Sequence, residues 1–286
     1  MMLAALFGLL WLDHAAQQWT TDYRPGGIGA IGLSILLILI MPIAVAELAA
    51  LFAAEKVRPR RGIAGAGCIL FVVHAFLTQF AWFKPISTST LALLVVFIML
   101  ATALLWGIMK RTQEAIHAMA GTVLASLYLG GLAWFIIALR VKQAWHADGT
   151  IKFAGSTMTI LMMLLVVKFT DIGAYFGGRS LGRHKLIPWL SPGKTWEGLI
   201  CGIITASFMG ALCAPRVSQL VWWKAMIFGG VIGGIGQLGD LLESMMKRDA
   251  EVKDSGSLVP GFGGILDIID SPLLAAPFAY ILFSLF

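Results

Sequence analysis

Four polar residues, Asp240, Glu243, Ser244 and Lys247, fall at i, i+3, i+4 and i+7 within the stretch GQLGDLLESMMKR. On a helix that spacing lines them up on one face. The positions between them are apolar: Leu241, Leu242, Met245 and Met246. Further on, Asp267, Asp270 and Ser271 fall at i, i+3, i+4 where the last apolar run begins. Two carboxylates at i, i+3 share a face and can hold a hard divalent cation. Mg²⁺ takes one or two carboxylates together with substrate phosphates, and Asp240 can supply a third carboxylate from the preceding helix. The connection KRDAEVKDSGSLVPGFGG brings Lys247, Arg248, Lys253 and Asp254 in front of Ser, Gly and Pro. Lys and Arg hold phosphate oxygens through charge-assisted bonds, and Gly lets a backbone approach a ligand closely. Carboxylates, a divalent cation and basic side chains point to phosphate chemistry, which needs positioning and charge neutralisation more than covalent catalysis.

The elements that must carry these residues are greasy. Of 286 residues 59% are hydrophobic and 13% charged, against about 25% charged in a soluble domain. Runs such as AIGLSILLILIMPIAVAELAALFAA are long enough to cross a bilayer as helices, which takes about 20 residues. Nothing alternates with the period of two that a membrane barrel needs. The fold class is therefore all-α: a polytopic integral membrane protein of about nine transmembrane helices with cytoplasmic loops. The spans fall near 1–18, 28–54, 64–83, 89–109, 115–139, 154–177, 197–214, 221–246 and 266–286. The expected organisation is one membrane domain, 1–286, with N-terminal spans over 1–150 and a catalytic region over 151–286.

Alternate connections hold 13 of the 21 Lys and Arg, so the positive-inside rule places them and the N-terminus in the cytoplasm. Basic residues confined to loops between spans argue against nucleic acid as the partner of a chain with net charge +6. Ionisable groups within spans are costly and mark functional sites by default. They concentrate in the second half: Lys168 and Asp171 in VVKFTDIGAYFGG, Asp240 and Glu243 later. A local ion pair is the competing reading for Lys168 and Asp171. GIGQLG at 234–239 spells a dinucleotide fingerprint, but inside an apolar span it reads as close helix packing, as do Gly230 and Gly234. SPGKTWEG is not a P-loop, because Pro188 stands where the first Gly belongs. Cys68, Cys201 and Cys213 have no metal spacing and read as small buried hydrophobes. On this footing the chain is a membrane enzyme handling phosphates with Mg²⁺, or a transporter with charged helices.

The second half resembles the phosphatidate cytidylyltransferase (CDP-diacylglycerol synthase) family. That family's pattern runs S-x-x-K-R, four residues, K-D-x-G, then P-G-H-G-G and D-R-x-D. Ser244, Lys247, Arg248, Lys253, Asp254, Gly256, Pro260, Gly261, Gly263, Gly264, Asp267 and Asp270 stand in those places. DIGAYFGGRSLGRHKLIPWLSPGKTWEG is similar to the family's earlier block, through Asp171, Tyr175, Gly177, Ser191, Pro192, Lys194, Thr195 and Glu197. Three positions depart: Phe262 replaces the His, Ile268 the Arg, and Gly193 a frequent Lys. A phenyl ring takes no proton and an isoleucine holds no phosphate. The carboxylates are kept, however, and phosphatidate is already an ionised nucleophile at neutral pH.

The resemblance implies the conversion of CTP and phosphatidate to CDP-diacylglycerol and pyrophosphate. It also implies a homodimer in a bacterial-type inner membrane, with the active site on the cytoplasmic face. We expect Asp240, Asp267 and Asp270 to hold Mg²⁺, with room for a second cation. Asp240, Asp270 and Lys247 are the expected catalytic groups. Ser191, Lys194, Thr195, Ser244, Arg248, Lys253 and Asp254 are expected to bind substrate. The alternatives are cytidylyl transfer to another lipid phosphate, a lipid kinase-like or non-catalytic relative, and a transporter.

Overall fold

A computed structural model describes residues 2–20, 27–54, 57–108, 115–145, 151–154, 156–217, 220–256 and 263–286; for 2–7, 106–108, 143–145 and 151–154 it describes the backbone alone. The described residues form ten α-helices: α1 (Met2–Trp19), α2 (Ile31–Ala54), α3 (Arg61–Leu77), α4 (Ser87–Ile108), α5 (Ala115–Ala125), α6 (Leu132–Val141), α7 (Thr157–Leu181), α8 (Trp196–Cys213), α9 (Trp222–Asp249) and α10 (Leu266–Leu285). A π-helical turn, Ser126–Gly131, joins α5 to α6, so the two make one rod and the described residues hold nine rods. Among the described residues seven segments, against the nine spans expected, are long and apolar enough to cross a membrane, the α5–α6 rod among them, while α3 is apolar but shorter. Large apolar side chains face outward on these helices, Leu39, Leu93, Leu104 and Ile204 among them. Lipid makes such exposure cost-free, so close packing of small residues rather than hydrophobicity selects the helix contacts.

Two compact units divide the described chain. The first comprises Met1–Val141 with Asp249–Leu266, the second Lys142–Arg248 with Asp267–Phe286. The sequence suggests one membrane domain with regions 1–150 and 151–286; the described residues between α9 and α10, 250–256 and 263–265, belong to the first unit.

In the first unit, α1 is tied down by a buried ion pair between Asp13 and Arg140, 2.9 Å apart. Gly130, in the π-helical turn, lies against Cys68 of α3, and a Cβ on it would come within 2.6 Å of the Cys68 Cα. Cys68 is buried and all three cysteines are free, so they behave as small apolar residues.

In the second unit, a short hairpin of β1 (Gln143–Trp145) and β2 (Ile151–Ala154) precedes α7. Ser156 then starts α7 with a capping box shared with Thr159, which satisfies two of the orphan donors at the helix start. Helices α7 and α8 meet through glycines: a Cβ on Gly198 or Gly202 would lie 2.8 Å from the carbonyl oxygens of Ala174 and Thr170. Helix α9 lies on α8 at Gly229, Gly230 and Gly233, and on α10 at Gly239. The packing reading of the glycine-rich stretch thus holds for Gly230 and Gly239. Gly234 makes only ordinary contact, with Ile203 at 4.0 Å. At the far end of α10 the Lys142 ammonium donates to the Tyr280 carbonyl (3.1 Å) and to the Ser284 hydroxyl, satisfying the last turn of the helix.

Candidate functional site

The site belongs to the second unit and begins with Gly239. A Cβ there would stand 3.0 Å from the Asp270 carbonyl oxygen and from the Ser271 Cα. Only a glycine lets α9 and α10 approach so closely, and the approach brings three carboxylates together. One oxygen each from Asp240, Glu243 and Asp270 lies within 4.8 Å of the others. Glu243 and Asp270 are 1% and 3% exposed, whereas the Asp240 side chain is half-buried. Glu243 Oε1 is buried and has no hydrogen-bond partner among the described residues.

Two lysines face the cluster. Lys247, one turn after Glu243 on α9, reaches Asp267 Oδ1 at 2.6 Å and Glu243 Oε2 at 3.5 Å. Lys194 reaches Asp240 Oδ2 at 2.6 Å. Its position is set by a second hairpin, β3 (Lys185–Ile187) and β4 (Ser191–Thr195), in the connection between α7 and α8. The hairpin is locked at its base. Thr195 caps α8 by accepting the Gly198 N–H at 3.1 Å. Glu197 accepts the Arg183 and His184 N–H groups and meets the His184 ring at 2.6 Å. Lys194 therefore sits one residue before the fixed N-cap of α8, Thr195.

Beside this cluster, Lys168 and Asp171 make a long contact of 3.7 Å, both about two-fifths exposed. Asp171 Oδ1 also accepts from the Gln237 amide at 2.7 Å. The pair is electrically part of the cluster, since Lys168 acts on Asp270 and Asp171 on Asp240 and Lys194. Among the described residues, with all groups ionised, five carboxylates (Asp171, Asp240, Glu243, Asp267 and Asp270) stand against three lysines (Lys168, Lys194 and Lys247). Like charges at this separation repel by ~3 kcal/mol per pair at an effective dielectric constant of 20. The formal deficit of two positive charges equals the charge of one divalent cation, and Glu243 Oε1 faces carboxylates rather than an N–H donor, so it is available as a ligand atom.

The sequence-derived residues sort accordingly. Asp240, Asp270, Lys247 and Lys194 come together. Asp267 is close by but turned to Lys247, and the trio with mutual ligand geometry takes Glu243 in its place. Glu243 was visible as the i+3 partner of Asp240; spacing alone does not say which of the neighbouring carboxylates turns inward. The Thr195 hydroxyl, expected to meet substrate, is used as a helix cap. Ser191 pairs through its backbone with Ile187, Ser244 is half-buried and Arg248 exposed. Lys253 and Asp254 are exposed and belong to the first unit. Ile268 is half-buried in the first turn of α10. Phe262, with Pro260 and Gly261, lies outside the described residues.

Comparison with known proteins gives the same direction. The model of the cytidylyltransferase family matches residues 27–286. The phosphatidate cytidylyltransferase of Bacillus subtilis (strain 168) is 34% identical over 224 residues, 77% of this chain and 78% of that protein. The uncharacterized protein YnbB of Escherichia coli (strain K12) is 42% identical over 128 residues, 45% of this chain and 43% of that one. The phosphatidate cytidylyltransferase of Haemophilus influenzae (strain ATCC 51907 / DSM 11121 / KW20 / Rd) is 44% identical over 124 residues, 42% and 43% of the two chains. The last two alignments span less than half of the relatives' length. A match over nearly the whole chain, and a relative aligned over more than three quarters of both proteins, place this chain in the cytidylyltransferase family.

Proposed function

We propose that this protein transfers a cytidylyl group from CTP to phosphatidate, giving CDP-diacylglycerol and pyrophosphate. The observation that carries the reading is the cluster of Asp240, Glu243 and Asp270 flanked by Lys194 and Lys247. A phosphate oxygen of phosphatidate attacks the α-phosphorus of CTP. The new P–O bond forms as the α–β bridging P–O bond breaks, and pyrophosphate leaves with that oxygen. The nucleophile is an anion already, so no strong base is needed, and Phe262 in place of a His is compatible with turnover. What the reaction needs is compensation of the phosphate charge and alignment of two anions.

The carboxylate trio fits a hard divalent cation in donor type, in net charge and in its orphaned oxygen. Asp240, Glu243 and Asp270 would hold Mg²⁺, which when bound neutralises phosphate oxygens. Lys194 and Lys247 would bind phosphate oxygens in exchange for part of their present carboxylate contacts. Asp267 keeps the Lys247 ammonium in place. The basic connections support a cytoplasmic active-site face, and the family supports a bacterial-type inner membrane and a homodimer.

The test uses the purified full-length protein in detergent with labelled CTP, phosphatidate and Mg²⁺. Labelled, lipid-soluble CDP-diacylglycerol should form, and a chelator should stop it. If no lipid-linked CMP forms at any Mg²⁺ concentration, the reading fails.

A further inference from the structure

In the first unit one carboxylate holds a segment that the chemistry above leaves unexplained. Glu47, in the middle of α2, accepts three hydrogen bonds. Oε1 takes the Ile265 N–H at 3.0 Å, and Oε2 takes the Leu266 N–H at 2.8 Å and the Ser255 hydroxyl at 3.3 Å. Two of the donors are backbone N–H groups at the very start of α10. Such groups have no partner within their own helix. A Ser, Thr, Asp or Asn immediately before the helix usually supplies one, but here Gly264 and Ile265 precede Leu266. Glu47 does the capping from another helix, with a negative charge where the helix dipole favours one.

The same carboxylate gives two glycines of the signature a physical reason. A Cβ on Gly256 would lie 2.7 Å from Glu47 Oε1, and one on Gly264 2.5 Å from Oε2. Both glycines are bare so that the carboxylate can sit between the two ends of the segment. Gly263 adds a left-handed backbone with φ 87°, which favours glycine.

We infer that Glu47 is a positioning residue: its carboxylate ties Ser255 to Ile265 and Leu266 and fixes where α10 begins. Asp267 and Asp270 follow on the first turn of that helix, so the start of α10 sets their register. The effect on turnover rests on the proposed function; the tie itself does not. Charge-assisted bonds to backbone donors are about twice as strong as neutral ones, and a glutamine cannot accept from all three donors with one oxygen.

The experiment compares wild type, Glu47→Gln, Glu47→Asp and Gly264→Ala in detergent, by amide hydrogen exchange and by steady-state cytidylyl transfer. Gly264→Ala displaces the carboxylate without altering its charge. In Glu47→Gln, exchange at Ile265 and Leu266 should accelerate at least tenfold while α7 and α8 exchange as in wild type. Glu47→Gln should lower kcat at least tenfold with KM for CTP within about threefold of wild type. Gly264→Ala should share both effects, and Glu47→Asp should recover part of the turnover. Unchanged exchange at Ile265 and Leu266 overturns the inference. So does a turnover that merely follows the folded fraction of each variant. If the wild type forms no CDP-diacylglycerol, the proposed function fails, and the exchange measurement alone decides the role of Glu47.

Discussion

Two buried charge clusters, one in each unit, are built on opposite plans. In the first unit Asp13 and Arg140 are 0% and 1% exposed and meet at 2.9 Å. Every remaining demand is answered: Gln17 accepts from Arg140 Nη2 at 2.7 Å, and Asp13 Oδ1 accepts the Gly32 N–H at 3.1 Å. In the second unit Asp240, Glu243 and Asp270 crowd within 4.8 Å, share two lysines with Asp267, and leave Glu243 Oε1 unpaired. A pair that cancels its own charge and fills its own hydrogen bonds has no capacity left for a ligand. A cluster short of positive charge has such capacity. Burial of ionisable groups within membrane helices therefore does not by itself identify a reaction centre.

The largest effect should come from removing charge at the uncompensated cluster. Asp270→Asn keeps the volume and removes one of three candidate ligands, so turnover should fall by ~10²-fold or more, the scale of a lost electrostatic stabiliser. The protein should still purify folded, because loss of one carboxylate relieves repulsion. Near-normal CDP-diacylglycerol formation in Asp270→Asn would place the reaction elsewhere and erase the contrast between the clusters.

The compensated cluster should respond the other way. Arg140→Met leaves Asp13 buried without its partner and should destabilise the protein by ~3–5 kcal/mol. Asp13→Leu combined with Arg140→Met replaces the pair by apolar groups and should regain most of that loss. Thermal unfolding in detergent measures both. The double variant should retain turnover. If the double variant unfolds as readily as Arg140→Met, the pair is more than a self-cancelling charge unit.

The two clusters also differed in how far they could be read from the sequence. The spans are legible because runs of about 20 apolar residues have few other uses, and Gly239 and Asp240 are legible because small and charged residues are out of place in such a run. The i, i+3 spacing put Asp240 and Glu243 on one face. It could not decide whether Glu243 or Asp267 turns to the other carboxylates, because Lys247 lies one turn from the former and on a different helix from the latter. Asp13 and Arg140 are 127 residues apart, and each alone looks like a charge at a helix end. Glu47 was equally silent: its partners are two backbone N–H groups and a serine hydroxyl, and backbone donors leave no trace in the sequence. The Glu47 charge inside the expected span 28–54 marked it by the same rule as Asp240, but nothing in the sequence named its partners, and Gly256 and Gly264 read first as room for a ligand.

The finest test separates the clusters by their response to a cation rather than by activity. A divalent ion bound to the folded protein stabilises it by about 2.7 kcal/mol at a concentration one hundred times its Kd. Mg²⁺ should therefore raise the melting temperature of the wild type in detergent, in the absence of CTP and lipid. Glu243→Gln replaces one carboxylate oxygen by an NH2 donor and lowers the excess of negative charge. It should melt no earlier than the wild type without Mg²⁺, and gain less when Mg²⁺ is added. Glu243 then contributes to the site by being unpaid in charge, which a purely structural carboxylate would not do. The Asp13–Arg140 double replacement should leave the Mg²⁺ response as it is in the wild type, since that pair has no ligand atom to offer. Equal Mg²⁺ responses in wild type and Glu243→Gln would return Glu243 to a packing role and leave Asp240 and Asp270 as the ligands.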